Sequence, residues 1–196
     1  VARLLAGNDF TIDVGRFGTV VPADYVPAIL LGACCAGAGI LIMQGVSFVE
    51  ELARKSSVPT PVRPALGGIV VGLLATISPQ VLSAGHGALH LNLAHQVAIP
   101  TLVGILLLKS LASAVSIGSG FRGGLFFASL FMGALLGKLF AYSAPFFAHA
   151  SLTPEVYAVV GMSSLAVAII GGPLTMTFLA LEITGDFPIT VLVLAA

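Results

Sequence analysis

"GSGFRGGLFFAS", residues 118–129, decides how the rest of the chain is read. Four glycines and Arg122 stand directly before Leu125-Phe126-Phe127 in an otherwise apolar sequence. Glycine weakens helices, yet it lets a backbone approach a ligand or another helix closely. The first turn of a helix carries N–H groups with no acceptor inside the helix. The helix dipole adds about half a positive charge at the same end. A helix starting after Gly123-Gly124 would therefore aim the amides of Leu125, Phe126 and Phe127 at a small anion. Many partial charges replace the anion's water without trapping it beside a full charge. The competing reading is that the glycines let two membrane helices pack closely. The local pattern leaves both open.

The surroundings set the solvent. The 196 residues are 58% hydrophobic and 8% charged, with a mean hydropathy of +1.10. Soluble domains carry about 25% charged residues. The chain therefore reads as all-α and membrane-embedded, with the lipid bilayer as its partner. Eight basic residues balance eight acidic ones, and no basic patch points to nucleic acid. Cys34 and Cys35 are adjacent in an apolar run and read as small packing residues, not as a disulfide.

Val26 to Val49 is long enough to cross a bilayer, and Glu50/Arg54 and Glu51/Lys55 then mark a solvated helix end. "SSVPTPVRP" (56–64) breaks the chain. Ala65 to Ala84 is apolar but reads as interrupted by Gly67-Gly68, Gly72 and Pro79. "GHGALHLNLAHQ" (85–96) is a polar break before Val97 to Ile117. After the opening stretch come Leu125 to Phe147 and a helix start at Thr153-Pro154-Glu155, with Thr153 as cap. Val156 to Ile170, Leu174 to Ile183 and Pro188 to Ala196 are short runs separated by Gly171-Gly172-Pro173 and Thr184-Gly185-Asp186. Simple spanning helices need about 20 residues. Short runs meeting at glycines are the broken helices that transporters use to build sites at membrane depth.

Three stretches carry a resemblance. "GSGFRGGLFF" resembles the GSG-x-x-GG-[IL]-F segment of the CLC chloride channel and transporter family. "GMSSLAVAIIGGPLTMTFLALEITGDF" (161–187) resembles its later PLT and LE-[ML]-T stretch. "PALGGIVVGLLATISPQVL" (64–82) resembles its glycine-containing helix with a following proline. The resemblance implies a fold of short, tilted and broken helices, half of an inverted repeat. It makes residues 1–196 the second, C-terminal half of a membrane domain, with the first half and the final helix absent. It assigns the central anion to the amides of Leu125 and Phe126, reached over Gly123 and Gly124, with Phe127 beside a neighbouring outer site. The family often has proline where Arg122 and Ala128 stand. The resemblance further implies transport of small anions, chloride foremost as substrate, and no cofactor. It implies a homodimer contact that includes Leu174 to Leu181, and a multi-pass position in the plasma or inner membrane. Channel and proton-coupled exchanger stay undecided.

The polar residues have their own readings. Lys109 and Arg122 are candidates for electrostatic support of the anion path, since a charge inside a membrane run is first a functional hypothesis. Lys109 and Lys138 have the alternative of snorkelling to an interface, and Lys138 reads as a helix end. Pro173 and Glu182 read as structural, with Glu182 capping a nearby helix. His86 and His90 have a metal-compatible spacing, and His95 follows, so an intramembrane metalloenzyme is one alternative. The glycines around them and the missing glutamate argue against it, and no metal site is expected. A non-transporting helical scaffold is the other alternative. Ser119, Ser163 and Ser164 lack a His/Asp arrangement, so the chain is not read as an enzyme.

Overall fold

The computed structural model describes residues 20–56, 58–82, 98–121, 125–142 and 152–196. Among these residues every regular element is helical. After a 3₁₀ turn at Pro22–Asp24 come α1 (Tyr25–Lys55) and α2 (Arg63–Ile77). A second 3₁₀ turn, Pro79–Val81, precedes α3 (Ile99–Gly118) and α4 (Phe126–Ala141). The chain ends in α5 (Pro154–Ile170), α6 (Pro173–Thr184) and α7 (Phe187–Ala195).

Two of the described helical stretches, Pro22–Lys55 and Ile99–Gly118, are long and apolar enough to cross a membrane. The 12 residues of α6 rise only about 18 Å, against about 30 Å of hydrocarbon. The expected mixture of long and broken helices is therefore present. The end of α1 is also as read: Lys55 Nζ lies 2.7 Å from Glu51 Oε1, and Arg54 Nη1 lies 4.0 Å from Glu50 Oε1. Cys34 and Cys35 are free, one exposed and one buried.

Two local expectations need correction. Gly67, Gly68 and Gly72 do not interrupt their helix; α2 runs through all three and stops before Pro79. Gly67 serves packing, since a Cβ there would stand 2.6 Å from Ser119 Cβ at the end of α3. Thr153 does hold the N-cap position of α5 with Pro154 first in the helix, but its side chain makes no cap hydrogen bond.

The centre of the bundle is α5. Its Val156, Tyr157, Val160 and Leu165 join Leu31 and Cys35 of α1, Met132 of α4, Ala180 of α6 and Leu192 of α7 in one buried cluster. The closest crossing is α4 on α5. A Cβ on Gly161 would sit 2.9 Å from both Cα and N of Gly137, and one on Gly133 would sit 2.8 Å from Met162 Cα. Real Cβ contacts essentially never fall below 3.0 Å. Glycine is thus required on both sides for the backbones to touch, as small residues permit between membrane helices. A second layer, Leu102 and Ile105 of α3 on Phe131 and Leu135 of α4, closes the other flank. Between them these contacts fix where α4 begins.

Candidate anion-binding site

The opening glycines divide by task. Gly118 is a contact glycine: a Cβ there would meet Val49 Cβ of α1 at 2.7 Å. Gly120 is a turn glycine with φ of 98°, a conformation that costs other residues steric strain. Its N–H donates to Ile117 O at 2.9 Å, and Phe121 N–H donates to Ser116 O at 3.2 Å. The packing reading is therefore correct for Gly118. Arg122, Gly123 and Gly124 lie outside the described residues, as do His86, His90 and His95.

Helix α4 starts one residue into the candidate donor set. Leu125 is the N-cap and Phe126 the first helical residue, and no side chain caps this end. The first intrahelical bond runs from Ser129 N–H to Leu125 O at 2.7 Å. The amides of the first turn thus have no acceptor within the helix. The Phe126 and Phe127 rings meet edge to face, with centroids 5.1 Å apart. Leu125 and Phe126 are half-buried and Phe127 is exposed. The start of α4 thus has no side-chain cap, is flanked by aromatic carbon and is held from behind by the glycine crossing with α5.

Ser129 was not singled out in the sequence, yet it shapes this turn. It is fully buried, and its Oγ donates to Phe126 O at 2.7 Å. The signal was present in the pattern: a serine three residues after the first helical position can return its hydroxyl to the backbone. The crossing glycines were likewise legible as Gly133-x-x-x-Gly137.

Lys109 is 6% exposed, and its Nζ donates to Val81 O at 2.7 Å. The ammonium thus ties the middle of α3 to the 3₁₀ turn after α2. Lys138 is also buried and stands in the last turn of α4, as its reading as a helix end required. Pro173 opens α6 after Gly171 and Gly172, which take φ of 86° and 72°. Glu182 lies on the exposed side of α6. The cap of α7 comes from Asp186, whose Oδ1 accepts from Ile189 N–H at 3.3 Å. Among the described residues no cluster of His, Cys, Asp and Glu could hold a metal ion.

Short helices broken at glycines, with long spanning helices beside them, make this a polytopic helical membrane fold. The family model for voltage gated chloride channels matches residues 1–196, and the chain belongs to that family. It is 28% identical to the chloride channel protein CLC-f of Arabidopsis thaliana over 96% of this chain and 26% of that protein. It is 29% identical to the voltage-gated ClC-type chloride channel ClcB of Escherichia coli over 86% of this chain and 41% of that protein. The fold is similar to that of a CLC-type fluoride/proton antiporter, with a TM-score of 0.78 at 17% identity. That likeness covers 99% of this chain and 47% of the antiporter. The chain thus spans less than half the length of each of these relatives.

Proposed function

We propose that residues 1–196 form the C-terminal half of a membrane domain that moves small inorganic anions, chloride foremost, and that the start of α4 binds the anion. The observation that carries this reading is the helix start at Leu125-Phe126, which no side chain caps, on a helix that the α4–α5 crossing holds in place. An anion there accepts from backbone amides, which bind without a counter-charge that would hold it too long. Gly123 and Gly124 give the anion access to those amides. Lys109, with its ammonium buried among α2 and α3, and Arg122 add positive potential. Pro173 and Glu182 are structural, and the activity is transport without a cofactor.

The partners are the bilayer and a second copy of the protein. Leu174 and Phe178 of α6, with Phe187 and Leu194 of α7, are more than half exposed large apolar side chains on consecutive helices. They suit a contact between copies. The membrane is the plasma or inner membrane.

Chloride is favoured because the family and both sequence relatives bear it in their names. The fluoride/proton antiporter of like fold supplies the second reading. Full-length protein in liposomes, assayed in parallel with chloride- and fluoride-selective electrodes, separates them. Chloride efflux well above fluoride efflux supports the proposal. Fluoride efflux above chloride efflux replaces it with the second reading, and efflux of neither overturns transport.

A further inference from the structure

The loop between α1 and α2 holds a cation that takes no part in the proposed anion site. Arg63 is the first residue of α2 and is half-buried. Its Nε donates to Val58 O at 3.1 Å. That bond pins one edge of the guanidinium to the loop backbone five residues earlier. Pro59 and Pro61 stiffen the loop, and Val62 N–H closes a turn on Pro59 O at 2.9 Å. The guanidinium is therefore held in place before any ligand arrives. Arginine has five N–H donors in a planar fork. The other four have no acceptor among the described residues, where Glu50 and Glu51 pair with Arg54 and Lys55. A half-buried charge without a counter-charge is costly. The open edge of the fork matches two oxygens of a phosphate.

The surroundings select the rest of the ligand. The exposed ion pairs at the end of α1 place this loop at the boundary between membrane and water. From Glu50 to Arg63, three basic residues stand against two acidic ones, which leaves one positive charge. Leu66 and Ile69, one and two turns into α2, are exposed apolar side chains. Ile69 lies about 9 Å along the helix from Arg63. A matching ligand brings an anion to Arg63 and hydrocarbon to Leu66 and Ile69. Free phosphate and chloride bring no hydrocarbon. A zwitterionic phospholipid brings its phosphate with a positive group, so the charge of the loop stays uncompensated. A phospholipid of net charge −1 supplies both parts, and bilayers contain such lipids.

We propose that Arg63 anchors a site for an anionic phospholipid, with its guanidinium fork on the lipid phosphate and the acyl chains along Leu66 and Ile69. The site is independent of the anion reading, since it shares no residue with the start of α4. It gives α2 a second fastening. The 3₁₀ turn after α2 is already tied to α3 by Lys109 at Val81 O, and the lipid ties the first turn of α2 to the membrane surface.

Thermal unfolding of the purified full-length protein in detergent, with added short-chain lipid, tests it. The probes are dioctanoyl phosphatidylglycerol, dioctanoyl phosphatidylcholine and inorganic phosphate. Phosphatidylglycerol is expected to raise the melting temperature with saturation, and the other two to raise it less. Arg63→Gln removes charged hydrogen bonds and is expected to weaken phosphatidylglycerol binding about 10-fold or more. Arg63→Lys keeps the charge without the fork and is expected to recover only part of that loss. Should Arg63→Gln fail to fold, the three probes on the parent and on Arg63→Lys decide. Equal shifts with phosphatidylglycerol and phosphatidylcholine overturn the proposal, as does an equal shift with inorganic phosphate, which would mark a site for free anions. Undiminished phosphatidylglycerol binding in either variant also overturns it.

Discussion

Gly137→Ala should damage the protein more than its single added methyl suggests. The new Cβ would stand 2.7 Å from the Tyr157 carbonyl carbon and 2.8 Å from Ala158 Cα, with the Tyr157 carbonyl oxygen nearer still. Ordinary van der Waals contact begins at 3.4 Å. The obstacles are backbone atoms, so no side chain can turn aside. Helices α4 and α5 must part by more than about half an ångström, along a crossing that also includes Gly133 and Gly161. Overpacking of this kind costs about 1–3 kcal/mol. Alanine improves helix propensity by up to about 1 kcal/mol over glycine, which offsets only part of that cost. Gly104→Ala in α3 is the matched control, because nothing lies within 4 Å of its added Cβ. It should gain the propensity term and lose nothing. Thermal unfolding in detergent, followed by far-UV circular dichroism or by aggregation, compares the two. Gly137→Ala should melt several degrees below the parent, and Gly104→Ala at or above it. Equal melting of both variants would refute the argument that backbone contact at Gly137 sets the position of α4.

Further predictions concern other parts of the fold. Lys109→Met removes a hydrogen bond from a charged donor to Val81 O, a loss of about 1.5–3 kcal/mol; a lowered melting temperature, partly restored in Lys109→Arg, checks it. Asp186→Ala removes the side-chain cap of α7 and should cost about 0.5–2 kcal/mol, while Asp186→Asn should stay close to the parent in the same melt. Glu51→Gln breaks an ion pair whose side chains are mostly exposed, so its melting temperature should be unchanged within error. Maleimide in detergent should modify exposed Cys34 and spare Cys35, whose buried Sγ lies 3.7 Å from Gly161 O; Cys34→Ser should then remove the label from the peptide that carries both positions.

What the sequence disclosed follows from range. Prolines and charge pairs act within one turn, so Pro154 marked a helix start, Gly171-Gly172-Pro173 marked a break and Glu51/Lys55 marked a helix end. Composition disclosed the solvent, and motif order disclosed the family. Glycine was harder to read, because one residue type serves different ends. Gly120 turns the chain, Gly118 and Gly67 admit a neighbouring side chain, and Gly133, Gly137 and Gly161 admit a neighbouring backbone. Only the partner distinguishes these uses, and the partner is distant in sequence. The same holds for Lys109, whose acceptor at Val81 lies 28 residues away. The cap of α7 is local by contrast: Asp186 stands three residues before the amide it accepts from, which is the geometry a cap requires.

The central claim is that the backbone at the start of α4 binds the anion. Replacing the Phe126 peptide N–H by an ester oxygen removes one donor and keeps the phenyl ring. Phe126 is the first residue of α4, so this N–H has no acceptor within the helix and the helix loses no bond. Calorimetric titration of the full-length protein with chloride reads the result. A hydrogen bond to a charged group is worth about 1.5–3 kcal/mol, so affinity should fall about 10-fold or more. Phe126→Leu keeps the donor and an apolar wall, and should have the smaller effect. An ester protein that binds chloride normally, with Phe126→Leu abolishing binding, would contradict the account.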